Sequence, residues 1–213
     1  MRKILTEYYA EEVLKKFKIP ISNRYLAQNL EEVYKYAKKL KFPIDLKIMS
    51  EQVFHKSDIG GVRVCPTKDD LKKEYEEIMK IVKRRNIKLQ GVLVQEYFVG
   101  KELLIGLKKD PTFSHVIGLG MGGIYTEFFK DIEFRACPIN EDDAKSMIEG
   151  LKAVTILKGV RGEKPINLKL LKKTLVNVSK IPKKYPNLVE LDINPFIMNE
   201  NKGKAVDALM ILD

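Results

Sequence analysis

The sequence predicts a mixed α/β (α+β) protein. Helical and strand-like segments alternate from one end to the other, and apolar residues keep the period of one or the other within each segment. The composition, 45% hydrophobic and 32% charged over 213 residues, supports packed cores. That length can bury one good core or two modest, interlocked ones.

The first helix carries Ala10, Val13, Leu14 and Phe17 on one face and must stop before Pro20. A second opens at Asn29, a good N-cap with Glu32 three residues on, and its apolar face is Leu30, Val33, Tyr34 and Ala37. From Ile44 to Met49 a strand follows, with Ile44, Leu46 and Ile48 on one side and Asp45 and Lys47 on the other. A polar loop with two glycines runs from Ser50 to Gly61, and Asp69 or Asp70 caps a long helix from Leu71 to Arg85. Strand-like segments recur at Val92–Glu96, Glu102–Gly106, Val116–Leu119 and Asp131–Ala136. Helices opened by Asn140 and Asn167 precede two closing strands, Leu188–Ile193 and Ala205–Leu212. A seam between subdomains is expected near Asn86 to Gly91, where a basic helix gives way to a strand-rich half, so the expected division is 1–88 and 89–213.

The net charge of +10 raises nucleic acid as a partner. The lysines, however, are interleaved with Glu74, Glu76 and Glu77 along a helix, and no aromatic-basic motif accompanies them, so no nucleic-acid role is expected. No apolar run approaches the ~20 residues that span a bilayer. The N-terminus lacks the apolar stretch of a signal peptide, and a cytoplasmic protein is expected. Cys65 and Cys137 lie far apart and read as two buried thiols. Together with only His55 and His115, they leave too few soft ligands for a transition metal.

Several residues could carry chemistry. Lys47, on a short strand among apolar neighbours, either faces solvent or meets an anion. The loop after it holds Gly60-Gly61, which can present backbone N–H groups to phosphate oxygens, although any hairpin can use such a pair. Between them, His55-Lys56-Ser57-Asp58 supplies a base, a cation, a hydroxyl and a carboxylate. An imidazole can take and hand on a phosphoryl group, because its nitrogen is both nucleophile and leaving group; the bland alternative is a surface histidine. Glu96 and Glu102 are strand-end carboxylates that suit a base or ribose, or simply solvent. Gly120, Gly122 and Gly123 lie in a glycine-dense segment without dinucleotide-fingerprint spacing, which permits close packing or a phosphate approach. Asp131 and Arg135 share a strand face, and Arg161, flanked by glycines, could meet a phosphate or pair with Glu163. Glu190, Asp192 and Asn194 alternate with apolar residues, and Asp207 sits on the next strand. Two neighbouring strands offering carboxylate and amide oxygens suit Mg²⁺, or form the polar outer face of a sheet.

In order along the chain, these blocks are Leu46-Lys47-Ile48, His55-Lys56-Ser57-Asp58-Ile59-Gly60-Gly61-Val62, Val94-Gln95-Glu96 and Lys101-Glu102-Leu103-Leu104-Ile105-Gly106. Asp110-Pro111-Thr112-Phe113, Gly120-Met121-Gly122-Gly123-Ile124 and Lys158-Gly159-Val160-Arg161-Gly162-Glu163 follow. Glu190-Leu191-Asp192-Ile193-Asn194-Pro195 and Ala205-Val206-Asp207-Ala208 complete the set. Together they resemble the β subunit of ADP-forming acetyl-CoA synthetase (acetate–CoA ligase), a relative of the succinyl-CoA synthetase β subunit, over nearly the whole chain. The resemblance implies an ATP-grasp fold of two interlocked α/β subdomains. It also implies ATP/ADP and Mg²⁺ as cofactors, and a CoA- and acyl-binding α subunit as partner in an α2β2 assembly.

By the same resemblance Lys47 is similar to a lysine that contacts nucleotide phosphates, and Gly60, Gly61 and Val62 to the small loop over them. Glu96 and Glu102 resemble the hinge and ribose-side acidic residues. Asn194 and Asp207 resemble Mg²⁺ ligands, with Asp192 at a nearby acidic position. His55 resembles a histidine that relays a phosphoryl group between the α subunit's phosphohistidine and ADP. Lys56, Ser57, Asp58, Gly122, Gly123 and Arg161 are candidate phosphate or loop contacts. The sequence departs from the family pattern at Glu51-Gln52, usually Pro-Asp, and at Ser114-His115, usually Gly-Pro. Its N-terminal portion also looks short, with the first helix starting almost at Met1. Two other functions fit an ATP-grasp protein: a freestanding carboxylate–amine ligase and a non-catalytic nucleotide-binding subunit.

Overall fold

The computed structural model describes residues 2–53, 55–123, 131–160 and 162–213. The chain forms two compact units, one from Ser22 to Tyr97 and the other from Met1–Ile21 together with Phe98–Asp213. The seam expected at 86–91 lies inside the first of these. The strand that follows it, β5 (Gly91–Glu96), pairs on both sides within the unit's sheet.

That sheet runs β2 (Arg24–Ala27), β5, β3 (Ile44–Met49), β4 (Val62–Cys65), with every ladder antiparallel. Ile44, Leu46 and Ile48 face the core with Val92 and Val94 of β5, against α2 (Leu30–Ala37) and α3 (Leu71–Arg84). Asn29 caps α2 as expected: its side chain accepts from Glu32 N at 2.9 Å, while Glu32 accepts from Gln28 N at 2.8 Å. Asp70 is the residue that precedes α3, but its carboxylate turns back to Thr67 N and Oγ instead of bonding the helix. Those two hydrogen bonds hold the Asp70 carboxyl below the usual range. β2 and β4 are too short and too mixed in polarity to be legible in the sequence.

In the larger unit the sheet order is β1 (Lys3–Leu5), β11 (Ala208–Leu212), β9 (Leu188–Met198), β6 (Lys101–Asp110), β7 (Ser114–Met121), β8 (Ile132–Ala136). A short β10 (Gly203–Ala205) also pairs with β9. All of these ladders are antiparallel, which places the unit on the α+β side of the expectation. One face is apolar: Leu103, Ile105, Ile117, Leu119, Leu191 and Ile193 join the core beneath α1 (Glu7–Lys16), α4 (Glu141–Gly150) and α6 (Leu168–Val178). Asn140 and Asn167 open the latter two, accepting from Asp143 N and Leu170 N, both at 2.9 Å. Two single-turn helices, α5 (Val154–Leu157) and α7 (Ile181–Lys184), complete this layer. The N-terminal residues before the first helix form β1, paired with β11 in register Ile4↔Ile211. Among the described residues no helix is long and apolar enough to cross a membrane.

Candidate functional site

Lys47 is 4% exposed at the centre of the smaller sheet, so the solvent-facing alternative for it does not hold. Its register partners are Val62 on β4 and Leu93 on β5. Across the next row, Asp45 pairs with Gln95, and Gln95 with Arg24. Direct partners share a face, so Arg24, Gln95, Asp45 and Lys47 form a polar cluster on the side away from the core. Asp45 and Gln95 are buried as well. Sequence reasoning missed Gln95 and Arg24 as companions of Lys47. The alternation Leu93, Val94, Gln95 was the available signal, but only the register shows that Gln95 lies opposite Asp45.

The expected phosphate loop returns to the same place. Ser57–Ile59 make one 3-10 turn and Gly60 takes φ 72°, a left-handed conformation that glycine adopts without steric cost. Gly61 then donates to Lys56 O at 2.7 Å and accepts from Ile48 N at 2.9 Å, and Val62 lands beside Lys47. The structure thus brings Lys47, Gly60, Gly61 and Val62 together. His55, Ser57 and Asp58 are exposed on this loop and Lys56 is buried. The loop's start is tied down by the residues that depart from the family pattern. Gln52 Oε1 accepts from Lys88 N at 2.6 Å and Glu51 Oε1 from Gln90 Nε2 at 3.0 Å. Ser50 Oγ donates to Lys88 O at 2.9 Å. Glu96 ends β5 opposite Ile44, which puts its side chain by alternation on the face away from Lys47. There its carboxylate accepts from Asn23 Nδ2 at 2.8 Å.

On the larger unit, Glu102 lies on β6 and Asp192 and Asn194 on β9, while Asp207 falls in the break between β10 and β11, so the expected strand Ala205–Leu212 is interrupted there. Asn194 and Asp207 adjoin the core residues Ile193 and Ala208, and Asn194 N donates to Asp207 O at 3.1 Å. Asp192, two residues back on the same face, lies opposite Gly106 of β6. After β7 the chain folds back on Glu102: Gly122 N donates to Glu102 O at 2.8 Å, and Gly123, at φ 64°, lies against the Glu102 carboxylate, where a Cβ would collide with Oε2. The glycines at 122 and 123 therefore permit close packing on Glu102. Among the described residues no group of three His, Cys, Asp or Glu side chains is placed to hold a metal by itself. Two adjacent oxygen donors with a third nearby fit Mg²⁺, which keeps water and substrate phosphate in its shell, and do not fit a closed zinc site.

Other candidates fall elsewhere. Asp131 is 6% exposed and accepts from Lys152 N and Ala153 N, both at 2.8 Å, which anchors the start of α5. Arg135 turns to Glu133 and Ser146, not to Asp131. Arg161 lies outside the described residues; Glu163, its sequence neighbour, forms an ion pair with Lys101. Asp110 closes the β6–β7 turn by accepting from Thr112 N and Phe113 N, both at 2.8 Å. Ser114, where the family pattern has glycine, holds φ 64°.

The profile of the ATP-grasp domain matches residues 1–212. This chain belongs to the ATP-grasp family. The ATP-grasp relatives at the sequence level include the β subunit of acetate–CoA ligase [ADP-forming] I from Pyrococcus furiosus, 39% identical over 98% of this chain and 91% of that one. The 4-hydroxybutyrate–CoA ligase [ADP-forming] of Nitrosopumilus maritimus is 42% identical over 94% of this chain, which spans only 29% of that longer protein. Among solved ATP-grasp structures, acetyl-coenzyme A synthetase 1 of Ca. Korarchaeum cryptofilum superposes with TM-score 0.95 at 40% identity, covering 99% of this chain and 94% of that one. That structure contains coenzyme A and Ca-AMPCP; another of the same enzyme contains coenzyme A and Mg-AMPPCP, with its phosphohistidine segment pointing towards the nucleotide binding site.

Proposed function

We propose that this chain is the nucleotide-binding β subunit of an ADP-forming acyl-CoA synthetase, working with a CoA- and acyl-binding α subunit in a cytoplasmic α2β2 assembly. It would pass a phosphoryl group between a phosphohistidine and ADP, coupling acyl-CoA, ADP and phosphate to acid, CoA and ATP. The observation that carries this reading is Lys47, a buried strand lysine with the Gly60–Val62 return beside it, in a chain that aligns end to end with β subunits of this activity.

In the proposed transfer the P–N bond to a histidine breaks as a β-phosphate oxygen of ADP forms the new P–O bond. Little covalent work falls to the protein, so positioning and charge dominate. Lys47 draws off charge from the transferred group, and its burial keeps that attraction from being screened by water. Gly60, Gly61 and Val62 bring backbone close to the phosphates. Glu96 and Glu102 address the base and ribose. Asn194 and Asp207, with Asp192 nearby, would hold Mg²⁺, which when bound neutralises phosphate oxygens. His55, exposed on its loop, takes the phosphoryl group as relay, with Lys56, Ser57, Asp58, Gly122, Gly123 and Arg161 as supporting phosphate contacts.

Co-expression with a candidate α subunit and measurement of ATP formed from acyl-CoA, ADP and phosphate tests this. The pair should form ATP and the His55→Ala pair should not, although it should still bind ADP. Full activity in His55→Ala removes the relay role; amine-dependent ATP hydrolysis by this chain alone removes the synthetase reading.

A further inference from the structure

A cavity lies on the larger unit near the start of β9. It measures about 720 Å³, within the range of small-molecule sites. Its lining includes Ser114 and His115, one of the two places where the sequence departs from the family pattern. His115 is 3% exposed, and its Nε2 lies 2.8 Å from the carbonyl oxygen of Leu188. A carbonyl only accepts, so Nε2 donates to it, and Nδ1 lies 3.1 Å from Ser114 Oγ. From Leu188 to Asn194 is six residues of strand, about 20 Å at the usual rise, so the cavity and the paired oxygen donors do not share a ligand.

Two chemistries line the rest. Phe17 and Tyr185 form an aromatic wall with ring centroids 6.3 Å apart, continued by Pro138, Pro182 and Pro186. Lys16, Lys180, Lys183 and Lys184 form the rim, and no carboxylate is among the lining residues. Among the described residues none of these four lysines has an ion-pair partner, while Lys184 Nζ sits 5.9 Å above the Phe17 ring. An apolar, aromatic-walled cavity rimmed by lysines suits an apolar body of ring size with an anionic head.

We propose that this cavity binds a small organic anion with an aromatic body, at a site separate from the nucleotide residues. A carboxylate or a phosphate monoester supplies the same head-group chemistry, and the rim lysines recognise either as a point charge. His115 and Ser114 line the cavity beneath, and the aromatic wall sets the selection for a ring.

The test uses the full chain and 1-anilinonaphthalene-8-sulfonate as the probe, followed by fluorescence. One probe should bind per chain in the presence of saturating Mg-ADP. Phenylacetate and phenyl phosphate, titrated separately, should displace it, and the better competitor identifies the head group. The double variant Lys180→Glu/Lys184→Glu should weaken binding at least about tenfold, and Pro186→Trp, at an exposed position on the mouth, should block it, both with unchanged circular dichroism. Equal probe binding by either variant when folded overturns the proposal, as does displacement of the probe by Mg-ADP. Should neither small anion compete while an acidic peptide does, the cavity is a protein-docking surface and the proposal fails. A misfolded variant is replaced by Lys183→Glu, to which the same criteria apply.

Discussion

Replacing Asp131 with alanine removes a carboxylate that is 6% exposed and accepts two backbone hydrogen bonds, from Lys152 N and Ala153 N, both at 2.8 Å. A hydrogen bond to a charged acceptor contributes about 1.5–3 kcal/mol. Water can reach the exposed Lys152 and partly satisfy its N–H, whereas Ala153 is half-buried. The total loss is therefore about 2–4 kcal/mol, short of twice the single value. For a chain of this size each kcal/mol lowers Tm by about 2–4 °C, so Asp131→Ala should melt roughly 5–15 °C below the parent. Asp131→Asn keeps one neutral acceptor oxygen and should lose about half as much. Urea unfolding and thermal melting by circular dichroism measure both, and nucleotide affinity of the folded variants should match the parent. A loss under about 0.5 kcal/mol would refute the anchoring role. Unchanged stability with abolished ATP formation would return Asp131 to the chemistry that its place in the sequence left open.

Lys47→Met should lower ATP formation with the α subunit by about 10²–10³-fold, the usual loss of one preorganised electrostatic contact; activity within a few-fold of the parent would remove Lys47 from the phosphate site. Gly60→Ala meets only Ile81 Cδ1 at 3.5 Å but must hold φ 72°, so it should cost about 1–2 kcal/mol through the backbone alone. Gly61→Ala is not at positive φ but puts its Cβ 3.0 Å from Lys56 O; it should displace the loop and weaken ADP binding more than Gly60→Ala does, which calorimetric titration distinguishes. Burial pushes the Cys65 and Cys137 thiols up from 9.0 to about 12, with neighbouring carboxylates adding to the effect at Cys65. A thiol reagent at pH 8 should label them slowly until urea is added. Because the folded state favours the neutral thiols, their contribution to stability is full below about pH 9 and declines as pH rises toward about 12, measurable as a falling urea midpoint.

Much of the site was legible because strand alternation is local. Asp45 and Lys47 against Ile44, Leu46 and Ile48, or Glu190, Asp192 and Asn194 against Leu191 and Ile193, can be sorted into two faces from the sequence alone. The N-caps Asn29, Asn140 and Asn167 were legible for the same reason, since a cap and its partner lie within three residues. Asp70 shows the limit of local signals. It occupies the capping position, yet Thr67 offers its carboxylate two donors on the preceding turn, and those were taken instead.

The sequence by itself determined the mixed class, the faces of most strands and helices, and, through ordered motifs along nearly the whole chain, the family. It could not determine which strands are neighbours. Only the tertiary structure put β5 between β2 and β3, so that Gln95 faces Asp45 and the apparent seam at 86–91 falls inside a unit. It also brought β1, at the start of the chain, to β11 at the end, and turned Asp131 from a candidate for chemistry into a helix anchor. The physical reason is that periodicity records what each residue faces, core or not, while register records whom it faces. Register depends on packing whole elements against one another across long stretches of chain, and no local pattern carries it.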